Sequence, residues 1–333
     1  MKKFLKISGV VIIALLVIYI LGPAPAKPVI NTVLPEIKPQ LNKLDAEMKE
    51  DEEKTPNIKE DNQARIVWND STQKNKTPYS IVYIHGFSAS QGEGIPLHRA
   101  FAERYGCNLY LCRLYEHGLT EEEPMLNLTP EKLLESAKKA VAIGKKLGDK
   151  VILMSTSSGG TLSLYIASGN PDIYSIITYS PNIDLYDEKS WLLTEHWGLQ
   201  MARVILGGKY YTFHGPPGFE KYWTPKYRIE SIISLKSFIN ATMNQETFGK
   251  IRQPVFMGYY YKNEEEQDNV VSVKRMLEMF AQLGTPDYQK RKINFPESST
   301  HIIASDIWSK DIPHVKEETF RFAEEILKMK PTH

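Results

Sequence analysis

VILMSTSSGGTLSLYIASG, residues 151–169, runs from an apolar strand-like segment through a cluster of small polar residues into a helix-like segment. A plain polar turn accounts for the cluster. So does a sharp strand-to-helix turn that presents one hydroxyl above a sheet, with the helix N-terminus aimed at it. Such a turn needs small residues two before and two after the presented serine. Ser157 meets that requirement with Ser155 and Gly159, and Gly160 allows close helix packing. Ser158 would place β-branched Thr156 in a flank, and Ser155 would place Leu153 there, so Ser157 is the candidate nucleophile.

Working outward, the same alternation continues on both sides. ARIVW and SIVYIHG read as two strands of a hairpin, split by NDSTQKNKTPY. IPLHRAFAERYG is helical and CNLYLCRL is a strand. TPEKLLESAKKAVAIGKKLG is a helix with Thr129 as its cap and proline at its first position. SIITYSP, QPVFMGYYY and KRKINFP are further strands, with helices at VVSVKRMLEMFAQLG and HVKEETFRFAEEILKMK. Several strands are apolar on both faces, which predicts an α/β fold with a mostly parallel sheet covered by helices on both sides. The core is expected over residues 65–183 and 251–333. Residues 184–250 break the alternation with an aromatic, proline-rich tract between helical runs, the pattern of a helical lid insertion.

The chain has 333 residues, 42% hydrophobic and 24% charged, which suits a globular protein. Its net charge of +1, with no basic block, argues against a nucleic-acid partner. Cys107 and Cys112 are too few for a disulfide framework, and a separation of five residues puts them on opposite faces of a regular strand. Lys2, Lys3 and Lys6 precede VVIIALLVIYIL, and Ala24 and Ala26 form an A-x-A site. Residues 1–26 are therefore expected to be a signal peptide or an N-terminal membrane anchor, with the body exported. Residues 27–64 are expected to be a charged tether, though Leu41, Leu44 and Met48 have helical spacing.

A serine hydroxyl needs a base. His301 follows the last strand, where its loop opens at the same sheet edge as the serine turn. His85, in YIHGFSAS, reads as structural, with the Phe87 and Ser158 N–H groups as oxyanion donors. The acid that orients the base should follow a strand and precede His301. Asp268 is the first candidate, ahead of Glu264, Glu265 and Glu266, with Asp184 as a further contender; Asp268 also suits a helix cap. Trp191, Trp197, Tyr222 and Trp223 of the insertion are candidates for an apolar substrate pocket, or simply lid core.

In this order Ser157, Asp268 and His301 resemble the triad of the α/β-hydrolase superfamily. HGF (85–87), RLYEHG (113–118) and DNVV (268–271) are similar to motifs of the monoacylglycerol lipase, carboxylesterase and serine aminopeptidase-like branch. The resemblance covers about residues 65–330. It implies an eight-stranded, mostly parallel sheet, a lid before the acid strand, and neither cofactor nor metal. It departs at Ser155, Glu116 and Thr300, which stand where glycine is usual, and in a longer acid loop. The expected activity is hydrolysis of a small-molecule or lipid carboxylic ester through an acyl-enzyme on Ser157. A serine peptidase or acyltransferase with the same triad is the alternative, as is an inactive cell-envelope binding protein. Membrane contact is expected through the N-terminal segment if it is retained.

Overall fold

A computed structural model describes residues 12–332. Its main sheet has, among the described residues, seven strands in the order β1-β3-β2-β4-β5-β8-β9. These are β1 (Arg65–Val67), β2 (Thr77–Ile84), β3 (Asn108–Leu111), β4 (Gly148–Thr156), β5 (Ser175–Tyr179), β8 (Val255–Tyr259) and β9 (Lys290–Asn294). Strands β6 (Tyr210–Thr212) and β7 (Lys226–Arg228) form a separate antiparallel pair in the insertion.

Two expectations are corrected here. Among the described residues the sheet has seven strands, where the resemblance implied eight. And β1 is no hairpin partner of β2: it pairs antiparallel with β3, Arg65 opposite Leu111 and Val67 opposite Leu109. Both edges of β2 are already taken by parallel neighbours, β3 from Ser80 to Tyr83 and β4 from Thr77 to Ile84. The remaining pairs, β4–β5, β5–β8 and β8–β9, are parallel.

Alternate residues of one strand feed two cores. Ile81 and Tyr83 of β2 pack with Leu97 and Phe101 of α3 (Leu97–Arg104) and Val315 and Phe322 of α10 (Ile312–Glu325). Val82 and Ile84 pack on the other face with α4 (Pro130–Leu147), α5 (Ser158–Ser168), α7 (Ile229–Thr242) and α9 (Val273–Gln282). That is why these strands read as continuous apolar runs rather than alternating ones. The cysteines follow the same rule: Cys107 lies in one core and Cys112 in the other, both free, and burial pushes each thiol up to about 12. The Thr129 hydroxyl caps α4 by accepting the Lys132 N–H, with Pro130 at the first helical position.

The insertion holds a 3-10 turn (Glu188–Thr194), α6 (Gly198–Ile205), the β6–β7 pair, α7 and α8 (Gln245–Lys250). Arg228 ties it to the body through Glu123 at 2.6 Å, and buried Lys236 on α7 pairs with Asp184.

Part of the tract before residue 65 lies against the body. Helix α2 (Leu44–Glu53) buries Leu44 and Met48, and its Glu52 holds Arg113 bidentately at 2.8 and 3.0 Å. Further on, the Lys59 ammonium donates to the Trp223 carbonyl at 2.7 Å and the Tyr222 hydroxyl donates to Asp61 at 2.6 Å. The described part of the N-terminal helix covers residues 12–20, and the start of the expected signal or anchor, residues 1–11, lies outside the described residues. Among the described residues no helix is long and apolar enough to cross a membrane.

Candidate active site

The loops that follow β2, β4, β8 and β9 open at one edge of the parallel sheet, where such folds place their ligands. Each carries one of the candidate residues.

Ser157 sits between β4 and α5 at φ 53°, ψ −121°, a conformation that costs an L-residue about 1–3 kcal/mol. Its surroundings hold it there. The Ser157 N–H donates to the Tyr179 carbonyl at 2.9 Å, and its carbonyl accepts Gly160 N–H at 2.8 Å and Asn182 N–H at 3.0 Å. The glycine requirement is steric: a Cβ on Gly159 would lie 2.0 Å from the Ile84 carbonyl oxygen, and one on Gly160 2.5 Å from Thr178 Oγ1. Ser155 is fully buried in β4, and its hydroxyl finds no hydrogen-bond partner among the described residues. Among the described residues no hydrogen bond joins the Ser157 hydroxyl to His301, whose Nδ1–H is on Asp268.

His301 lies in the loop after β9, its side chain 9% exposed, and its Nδ1–H donates to Asp268 Oδ2 at 2.6 Å. The other Asp268 oxygen accepts the N–H groups of Val270 at 2.9 Å and Val271 at 3.0 Å. One fully buried carboxylate therefore closes its own turn and orients the imidazole. The cap of α9 is Ser272 instead. Burial works against the imidazolium of His301, but Asp268, and after it Glu93, outweigh that and hold its pKa above the ordinary histidine value. The rival acids are engaged elsewhere: Glu264 with Tyr261, Glu266 with Lys262, and Asp184 with Lys236.

The HGF turn lies beside the serine, since a Cβ on Gly86 would come 3.1 Å from Ser157 Cβ. Ser158 opens α5, so its N–H has no partner within the helix. His85 is a buried strut between β2 and the segment after β3. Its Nε2 accepts the Leu114 N–H at 3.1 Å, and its Nδ1–H donates to the Gly86 carbonyl at 2.9 Å. Burial first, then the neighbouring His117, keep its pKa well below the ordinary value.

The four aromatic candidates separate. Tyr222 and Trp223 pack with Ala89, just past the HGF turn, and Ile302, next to His301. Trp191 is half exposed, and Trp197 binds the N-terminal segment, its N–H on the Pro23 carbonyl and its indole N–H on that of Ile18. Three residues around the site escaped the sequence reading. Trp308 and Phe219 pack edge to face at 5.7 Å in the cluster that holds Tyr222, Trp223 and Ile302, and Glu93 reaches back to the HGF turn. Glu93 carried no signal beyond its closeness in sequence to that turn.

No family model matches the chain. Thermostable monoacylglycerol lipase of Bacillus sp. (strain H-257) is 31% identical over 108 residues, 32% of this chain and 42% of that protein. The match thus spans about two fifths of the curated relative. Among solved structures, one reported for the metagenome-derived lipolytic enzymes LipS and LipT aligns at a TM-score of 0.63 and 16% identity, covering 80% of this chain and 98% of that one. The monoacylglycerol lipase of Paleococcus ferrophilus aligns at 0.55 and 14% identity, covering 78% and 98%. With the sheet order, the crossovers and the turn after β4, these likenesses settle the architecture: the chain has the α/β-hydrolase fold.

Proposed function

We propose that the protein is a serine hydrolase that cleaves carboxylic esters, with acyl groups of the monoacylglycerol type as the favoured class. The Asp268–His301 hydrogen bond of 2.6 Å, together with a serine held at positive φ on the turn after β4, carries this reading. His301 Nε2 takes the Ser157 proton as Oγ bonds to the ester carbonyl carbon, while Asp268 fixes the tautomer and stabilises the imidazolium. The Phe87 and Ser158 N–H groups receive the oxyanion, each donor contributing about 3–4 kcal/mol in comparable sites. His301 then protonates the leaving alkoxide, and water, deprotonated by the same imidazole, releases the acid and restores Ser157. The apolar wall of Tyr222, Trp223 and Ile302 suits an acyl chain.

A fluorophosphonate probe and a graded series of acyl esters test this. The wild type should take the label and hydrolyse esters, and Ser157→Ala should do neither. Full esterase activity in Ser157→Ala would overturn the reading, and a wild type that neither labels nor hydrolyses would point to a binding protein.

The chain is also proposed to be exported, its body on the far side of the membrane from Lys2, Lys3 and Lys6. The uncharged run over residues 7–26 supports this. A protease added to intact cells should reach the body; full protection while a cytoplasmic marker is also protected would sink the idea.

A further inference from the structure

Between the HGF turn and α3, the 3-10 turn Gln91–Gly94 sends an acidic side chain back into the site. Glu93 is 2% exposed. Its Oε2 accepts the Gly86 N–H at 2.6 Å, and the Tyr83 hydroxyl approaches the same oxygen at 3.4 Å. A Cβ on Gly86 would sit 2.7 Å from Glu93 Oε1 and 3.1 Å from Ser157 Cβ. The carboxyl and the carbon that bears the candidate nucleophile thus face each other across one glycine.

Among the described residues the neighbouring groups offer this carboxyl no permanent cation. From β2 comes Tyr83, whose phenol burial keeps protonated and which also bonds the Thr156 hydroxyl of β4 at 3.1 Å. From the loop after β9 comes His301, already paired with Asp268. From α3 comes His98, which burial holds neutral, its pKa near 3, with Nε2 on the Gln91 carbonyl. Burial therefore dominates at Glu93 and lifts it to about 7, although the Gly86 N–H and His301 pull the other way.

We propose that Glu93 is the positioning residue of the oxyanion turn, that it works as the neutral acid, and that loss of its proton to solvent switches acyl transfer off. The inference rests on the acyl-transfer reading of Ser157 and His301. As the acid, Glu93 holds the Gly86 peptide, and with it the next N–H, that of Phe87, against the serine. As the carboxylate it puts a negative charge where the substrate carbonyl must itself become negative, in a region of low dielectric where like charges repel strongly. The same charge favours the imidazolium of His301 and so removes the base. Both effects lower the rate as pH rises.

The test is the rate at which the full chain takes a fluorophosphonate on Ser157, followed from about pH 5 to about pH 10. The wild type should speed up as His301 loses its proton, then slow about tenfold per pH unit beyond an upper limit. Glu93→Gln keeps a hydrogen-bond acceptor for Gly86 and should retain the rise while losing the fall. Superimposable alkaline limbs in the two proteins would overturn the inference, as would a wild type with no fall. If Glu93→Gln does not fold, infrared difference spectra of the wild type decide. A protonated-carboxyl band should vanish over the interval in which labelling slows, and its absence at lower pH would overturn the inference. A wild type that takes no label at any pH defeats the acyl-transfer reading and this inference together. Labelling with an unaltered alkaline limb defeats the inference alone.

Discussion

Asp268 accepts the His301 Nδ1–H at 2.6 Å with one carboxylate oxygen and two backbone N–H groups of its own turn with the other. The orientation of the imidazole is therefore built on the same group that shapes the loop after β8. Asp268→Asn can keep the turn but presents the wrong partner or tautomer to His301. On the proposed chemistry kcat on a short-chain aryl ester should fall about 10⁴-fold with little change in the thermal midpoint. Asp268→Ala should add a stability loss of about 1–3 kcal/mol, because the two N–H groups lose their acceptor.

The strain at Ser157 separates chemistry from stability. Glycine adopts φ 53° without a Cβ penalty, so Ser157→Gly should unfold at higher denaturant by about 1 kcal/mol while losing ester hydrolysis. Ser157→Ala should lose activity equally and gain nothing in stability. Chemical denaturation of the two variants beside the wild type reads this out.

His301 acts as a base only when neutral, and its pKa is held above the ordinary value. The acid limb of kcat/KM should therefore reach half-maximum above about pH 6.5. The stability this group adds runs the other way. It is fully present below the ordinary histidine value and is lost as pH rises through the folded-state value. Asp268→Asn should move the acid limb of the residual activity downward, and an unmoved limb would detach it from His301.

Glu116 occupies a left-handed position, φ 62°, where the related motif carries glycine. Among the described residues its side chain accepts the Asn127 N–H, at 3.3 Å on the surface. Glu116→Gly should stabilise the protein by about 1 kcal/mol, read as a shift in the urea midpoint.

Glu52 and Arg113 join helix α2 to the body, their side chains 14% and 10% exposed. Glu52→Ala leaves a mostly buried guanidinium with only the Thr55 hydroxyl, and should destabilise by about 2–3 kcal/mol. A change below a few tenths would mean that the Glu52–Arg113 pair contributes nothing to the fold.

The parallel sheet was legible because strands such as β2 and β4 are apolar on both faces, a pattern an edge-exposed antiparallel sheet does not produce. The sharp strand-to-helix turn at Ser157 was legible because such a turn tolerates so few residue types around it. The pairing of β1 was not legible, since nothing local in ARIVW distinguishes a hairpin neighbour from a strand that crosses to the far side of β3. Trp191 and Trp197 were chosen on residue type alone, and residue type does not say whether an aromatic faces the serine or the N-terminal segment.

From sequence alone, local rules determined the elements, the serine turn and the order of the candidate triad, because propensity, capping and small-residue requirements act over a few neighbouring residues. The sequence ranked Asp268 first among the acids for His301, and the tertiary structure decided between it and its neighbours: four carboxylates share that loop and only Asp268 is folded inward, one oxygen on His301 and the other held by its own turn. It also decided that Glu93 lies across Gly86 from Ser157. Whether a carboxyl is solvated or buried, and what stands opposite it, depends on chain segments distant in sequence, and that is where the chemistry proposed for this protein is set.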